Sequence, residues 1–132
     1  MGTGQVITND GKNLIMNRTF EATPSYTEPS LFQVGIGTDT PAVNDTAMED
    51  PVTINGGDTK AFAATYPQYD TTNFMVTIRC VLTTAEANGN DLSEFGIINT
   101  DGTPILFSHV VYTAITKDAN TQITYIEKDR LI

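Results

Sequence analysis

A single cysteine, Cys80, stands in a chain of 132 residues, which excludes any intrachain disulfide framework. Its place in the run Val76-Thr77-Ile78-Arg79-Cys80-Val81-Leu82 predicts a small buried hydrophobe. Positive charge is scarce too: 7 Lys and Arg face 16 Asp and Glu, for a net charge of -9. Between Arg18 and Lys60 there is no Lys or Arg, although Glu21, Glu28, Asp39, Asp45, Glu49, Asp50 and Asp58 fall there. Such a surface repels phosphate backbones, and nucleic acid is a poor partner, because that affinity depends on cationic side chains that displace counterions. No apolar run approaches the ~20 residues that span a bilayer, so membrane insertion is not expected. The polar start Met1-Gly2-Thr3-Gly4-Gln5 has neither the charged nor the apolar region of a signal peptide, which points to a protein made in a cytoplasm. The glycosylation sequons at Asn17-Arg18-Thr19 and Asn44-Asp45-Thr46 then read as chance matches.

Catalytic vocabulary is equally thin. His109 is the only histidine, and neither Gly-x-Ser-x-Gly nor a comparable elbow supplies a nucleophile for it, so it reads as a strand histidine at a solvent face or an interface. One Cys and one His cannot furnish the usual zinc ligand set. Asp39, Asp45, Glu49 and Asp50 share one loop, and hard cations favour oxygen ligands, but their spacing lacks the alternating acids, central Gly and final Glu of an EF-hand. Gly35-x-Gly37 and Gly56-Gly57 lack the Lys and the helix that phosphate loops require. No pair of carboxylates is singled out for hydrolysis. The expectation is a protein that is not an enzyme and needs no metal or cofactor.

What the chain does have is β-forming residues and turns. Apolar residues make up 39% and charged residues 17%, with Thr, Asn, Ser, Gly and Gln filling the difference. The length is that of one domain with one core, and residues 1–132 are expected to form a single β-rich unit. Gln5 to Thr8 reads as a short strand, after which Asn9 or Asp10 can cap a short helix through Leu14, Ile15 and Arg18, with Thr19-Phe20 already extended. Phe32, Val34 and Ile36 alternate with Gln33, Gly35 and Gly37, so the two glycines share the other face of a strand, where they either admit another backbone or mark a bulge. From Thr38 to Pro51 the pattern predicts a long irregular loop of the kind that serves as an interaction surface or moves freely. Val52-Thr53-Ile54 and the turn Asn55-Gly56-Gly57-Asp58 suggest a hairpin into Lys60 to Tyr66. Phe74, Val76, Ile78, Cys80 and Leu82 form one wholly apolar strand face. Thr84 to Asp91 is a helical turn ended by Gly89, or a loop, and Thr121 to Glu127 is a last strand beyond the turn at Asp118-Ala119-Asn120. Six to eight short strands joined by turns, with one short N-terminal helix, predict an antiparallel β-sandwich or small barrel.

Two β-prone runs, Leu92 to Asn99 and Ile105 to Tyr112, flank Asp101-Gly102, a hairpin signal in which Gly102 would accept the positive φ of a tight turn. Glu94-Phe95-Gly96-Ile97-Ile98-Asn99, Asp101-Gly102, Leu106-Phe107-Ser108 and Ile115-Thr116-Lys117 together resemble a motif of bacteriophage tail-appendage proteins, the tail-collar fibre and baseplate group. Upstream, Leu14 to Phe20 followed by Phe32-Gln33-Val34-Gly35-Ile36-Gly37-Thr38 is similar to small phage structural proteins.

The resemblance implies a virion protein, assembled in the host cytoplasm, that self-associates (a trimer by analogy) and docks on other virion proteins as a tail, baseplate or fibre-attachment component. The chain lacks a repetitive shaft, which equally suits a capsid-decoration protein. Exposure nominates the acidic loop, with Asp39, Asp45, Glu49 and Asp50, and the hairpin tip at Asp101 and Gly102 as partner contacts. A reading from another class is a receptor- or carbohydrate-binding module, with Tyr26, Tyr66, Tyr69 and Tyr112 stacking on sugars. A small hydrolase is a third reading, without a residue set to carry it.

Overall fold

The computed structural model describes residues 3–131 and is mainly β, with eight strands and one helix. Two antiparallel sheets face each other. The larger runs in the order β1-β7-β6-β2-β3, from β1 (Thr3–Ile7), β7 (Leu106–Lys117), β6 (Asn90–Ile98), β2 (Leu31–Gly35) and β3 (Lys60–Ala61). The smaller holds β4 (Gln68–Asp70), β5 (Met75–Leu82) and β8 (Ile123–Arg130), in that order. No barrel closes, and the sandwich alternative is the one realised. The chain passes between sheets at Asp118-Ala119-Asn120, since β7 pairs with β6 and β1 whereas β8 pairs with β5 from Leu82↔Ile123 to Met75↔Arg130.

Alternation places the core between the sheets. Phe32, Val34, Phe95 and Ile97 from the larger sheet meet Ile78, Cys80, Leu82 and Ile123 from the smaller. Phe95 stacks on Tyr125 with ring centroids 4.5 Å apart, and Tyr125 hydrogen-bonds Tyr112 hydroxyl to hydroxyl. Cys80 is fully buried, and burial pushes its thiol up, out of the reactive range. At the start of the same strand face, Phe74 departs from the pattern: it is 64% exposed and sits at φ 55°, in a turn before β5 begins.

Helix α1 (Asn9–Phe20) is capped by Thr8, one residue earlier than expected, whose Oγ1 accepts from the Gly11 N–H at 2.9 Å. Gly11 is needed there because a Cβ would lie 2.4 Å from the Phe107 carbonyl oxygen, so this glycine lets the helix settle against β7. Thr19 and Phe20 complete the last turn instead of extending. Val52-Thr53-Ile54 lies outside any strand: Pro51 bridges to Gly35 and Val52 N–H bonds the Val34 carbonyl, while the pairing segment beside β2 is Lys60–Ala61. The β6–β7 hairpin forms as expected, but its turn is wide. Gly56 and Gly89 are the described glycines with positive φ, so Gly102 does not make the tight turn. Asn99 organises the connection, its Oδ1 accepting from Ile105 N–H at 2.8 Å and its Nδ2 donating to Asp101 Oδ2 at 2.9 Å.

Candidate functional site

The acidic loop is the first place to look, and it is pinned. Glu94, opposite Val111, and His109, opposite Gly96, are diagonal neighbours on β6 and β7, on the face of the larger sheet turned away from the core. His109 is 4% exposed, buried between two carboxylates rather than at a solvent face. Its Nε2 lies 2.8 Å from Glu94 Oε2 and its Nδ1 lies 2.9 Å from Asp45 Oδ2. The Glu94 carboxylate also accepts the backbone N–H groups of Gly37 at 3.2 Å, Glu49 at 2.8 Å and Asp50 at 2.9 Å. One buried acid thereby holds both ends of the loop.

Burial alone would raise Glu94, yet the bonds from His109, Asp50, Glu49 and Gly37 outweigh it and hold the carboxyl below its ordinary value. For His109 burial works downward, and the bonds to Glu94 and Asp45 more than reverse it, so its pKa is raised. The imidazolium then donates from both nitrogens. Each polar atom of His109 and Glu94 is taken up by these bonds, and the neighbouring Ser108 hydroxyl is directed to the opposite face, where it donates to Glu127 Oε1 at 2.8 Å.

The glycines of Gly35-x-Gly37 make room for the returning loop. A Cβ on Gly35 would stand 2.4 Å from both the Asp50 carbonyl oxygen and Glu94 Oε1, and one on Gly37 would stand 2.5 Å from Glu49 Oε1. They admit another backbone, which is the first of the two options their pattern left open. Ser93 Oγ donates to the Gly37 carbonyl at 2.7 Å, and Met48 packs on Ile98 and Leu106.

Of the residues expected to contact partners, Asp45 is therefore turned inward to His109. Asp39, Glu49 and Asp50 stay exposed on the loop's outer side. Glu49 Oε1 accepts the Asp39 N–H at 2.9 Å, and with Glu49 beside it the Asp39 carboxyl is held above its ordinary value. At the hairpin tip Asp101 accepts from Thr27 N–H at 3.2 Å, whereas Gly102 is exposed with open space around it. Among the described residues no three His, Cys, Asp or Glu side chains group so as to hold a metal.

A second feature was not legible in the sequence. A groove of about 780 Å³ opens at one end of the sandwich, between α1 and the smaller sheet. Its walls are apolar, including Ile15, Phe62, Tyr66, Tyr69, Val76 and Leu131. Lys12, Arg18 and Arg130 also line it, with Glu28 and Asp129. Of the tyrosines proposed to stack on sugars, Tyr66 and Tyr69 are in this groove, while Tyr112 is engaged with Tyr125.

Beside the groove lies a carboxyl pair. Glu127 and Asp129 alternate inward on β8, Glu127 4% exposed and with no hydrogen-bond partner for Oε2 among the described residues. Burial, then the neighbouring Asp129, raises Glu127 well above a usual carboxyl; burial raises Asp129 as well, offset in part by the nearby Glu127. The two carboxyls titrate as a pair, both held above their ordinary values. A signal existed in the i, i+2 spacing of two acids on an otherwise inward face, but alternation between Ile123, Tyr125 and Ile126 gave no means of telling which face was buried.

Among the described residues no helix is long and apolar enough to cross a membrane. Comparison of the chain with models of protein families, with characterised proteins and with solved structures finds no match.

Proposed function

We propose that the chain is a non-enzymatic structural protein of a bacteriophage virion, which self-associates and docks on the particle as a tail, baseplate or fibre-attachment component. The observation that carries the reading is the clamp on the acidic loop. The only histidine and two carboxylates, the side chains most suited to chemistry, are spent on fixing a loop against a sheet. The product of that arrangement is a firm outer ledge bearing Asp39, Glu49 and Asp50, which is what a building block that works through its surfaces requires. The resemblance of the β6–β7 region to tail-appendage proteins supports the same reading.

The test is mass spectrometry of particles purified from a lysate in which the chain is made, after separating tails from heads. Fixed copy number in tails or baseplates is expected. Fixed copy number in tailless heads would favour the capsid-decoration alternative, and a chain found only in the particle-free supernatant would refute both.

Tyr66 and Tyr69 keep the carbohydrate-binding reading open, because Tyr69 is 72% exposed on an apolar groove. Binding to a glycan array that disappears in Tyr69→Ala would establish it, and an array without binding at high protein concentration would sink it.

A further inference from the structure

The chain is short of cations, and their placement is uneven. Of the seven Lys and Arg, Lys117 is fully buried and Lys60 is paired with Glu86 at 2.7 Å. Among the other five, Lys12, Arg18 and Arg130 line the apolar groove at the end of the sandwich. Of the groove's own acids, Glu28 lies 3.7 Å from Arg18 and Asp129 precedes Arg130 on β8, so three cations there face two acids. The face is thus apolar with a cationic margin on a protein whose net charge is -9.

The acidic loop has the converse composition. Val43 on the loop is 45% and Ile36 just before it 41% exposed, with the exposed carboxylates Asp39, Glu49 and Asp50 on the same loop. Asp39 and Glu49 press like charges together, and a cation brought from outside would relieve that repulsion. The loop covers the outer face of the larger sheet, its Val43 carbonyl accepting the Asn9 N–H at the start of α1 at 2.7 Å, whereas the groove opens between α1 and the smaller sheet, so one molecule carries the two surfaces as separate sites. Complementary surfaces at separate sites on one chain join copies heterologously, as rings or filaments.

We propose that the acidic loop of one copy seats in the apolar groove of the next, Val43 and Ile36 entering between Tyr69 and Leu131 while Asp39 and Asp50 face Lys12 and Arg130. The occupant is a second copy because the complement in both charge and apolar surface is present on the chain itself. This inference rests on the self-association part of the function proposed above. It specifies the interface, which particle composition does not test.

The experiment uses the full chain and two surface variants. Lys12→Glu with Arg130→Glu reverses the groove margin and leaves the loop intact; Asp39→Lys with Asp50→Lys reverses the loop and leaves the groove intact. Light scattering is expected to show concentration-dependent association of the unaltered chain, weakened roughly tenfold between low and 0.5 M salt as the charge pairs are screened. Each variant alone is expected to stay monomeric. Mixed, they should form a one-to-one complex that grows no further, because one contributes the only functional loop and the other the only functional groove. Circular dichroism confirms that both are folded. Should either misfold, Val43→Ser and Leu131→Ser interrupt the same contact without a charge change and must each lower the association. A monomeric wild-type chain at millimolar concentration would overturn the proposal, as would variants that still self-associate. Recovery of such a chain in particles at fixed copy number would leave the virion reading standing while the interface falls.

Discussion

Replacing Glu127 by Gln should make the protein more stable, and increasingly so as the pH rises. In the folded chain the carboxyl keeps its proton to higher pH, because burial, with Asp129 alongside, raises its pKa well above the ordinary 4.5. In the unfolded chain it ionises near that ordinary value. Above pH 4.5 the unfolded state therefore binds fewer protons than the native state, and stability falls as pH rises until the native pKa is passed. For one proton the slope is about 1.4 kcal/mol per pH unit over the interval between the ordinary value of 4.5 and the native pKa, and it ends where that pKa is reached. Glutamine has nearly the same shape and no charge to lose, so its curve lacks this slope. For a domain of this length each pH unit of that interval corresponds to a gain of roughly 4 °C in Tm for the glutamine variant, shrinking towards nothing near pH 4.5. Urea and thermal unfolding of both proteins between pH 4.5 and pH 8 measure it. Parallel curves would show that Glu127 is ionised in the native state, and the account of the carboxyl pair would be wrong.

The clamp on the loop supplies three further expectations. Gly35→Ala should cost about 2 kcal/mol, since its Cβ meets a backbone carbonyl and a buried carboxylate that have nowhere to go; a denaturant midpoint equal to wild type would refute the close approach. His109 contributes stability that is fully present below its ordinary pKa of 6.5 and lost as pH rises through its raised native value, while the contribution of Glu94 is present above 4.5 and lost as pH falls through its depressed native value. The difference in stability between wild type and His109→Gln should accordingly be largest at about pH 4.5–6.5, and a pH-independent difference would remove the imidazolium from the explanation. Finally, Glu94→Leu combined with His109→Leu should keep the fold while releasing the loop, seen as faster amide exchange at Gly37, Glu49 and Asp50; unchanged protection there would contradict the role of Glu94 as their acceptor.

The strands were legible where burial is one-sided. Met75 to Leu82 alternates because one face looks into the sandwich, and the sequence pattern marks Ile78, Cys80 and Leu82 without ambiguity. On β6 that rule fails, since Leu92 to Ile98 is buried throughout: one face meets the core and the other lies under the acidic loop. A polar residue on such a strand reads as solvent-facing by pattern, which is why His109 looked like a surface group. Their partners are distant in the chain, 64 residues from His109 to Asp45 and 45 from Glu94 to Glu49, and no local rule connects them. The tight Asp101-Gly102 turn failed for a related reason. Asn99, a residue any turn rule would tolerate, takes over the connection by bonding Ile105, Asp101 and the Thr27 carbonyl, and Thr27 comes from another part of the chain. Sequence nominated the acidic loop correctly as exposed over Asp39, Glu49 and Asp50, but freedom of movement does not follow from polarity once a buried acceptor gathers the backbone N–H groups.

A buried histidine between two carboxylates is an expensive way to stabilise a protein. Desolvating three groups that titrate recovers little net free energy compared with apolar packing of the same volume, and removing one partner leaves the others uncompensated. What such a network does supply is direction. Apolar side chains such as Met48 would hold the loop against Ile98 and Leu106 over a range of positions, whereas the Glu94 carboxylate accepts three specific N–H groups and leaves one register for the loop. Fixing the backbone at Gly37, Glu49 and Asp50 also fixes where Asp39 and Asp50 project. For a surface that must meet a complementary one, position matters more than depth of burial. An acidic segment left mobile would lose conformational entropy on every docking event, and a loop already held in place has met that cost during folding. The same reasoning explains why Gly35 and Gly37 lie beneath the loop: a side chain at either position would lift the ledge away from the acid that orients it.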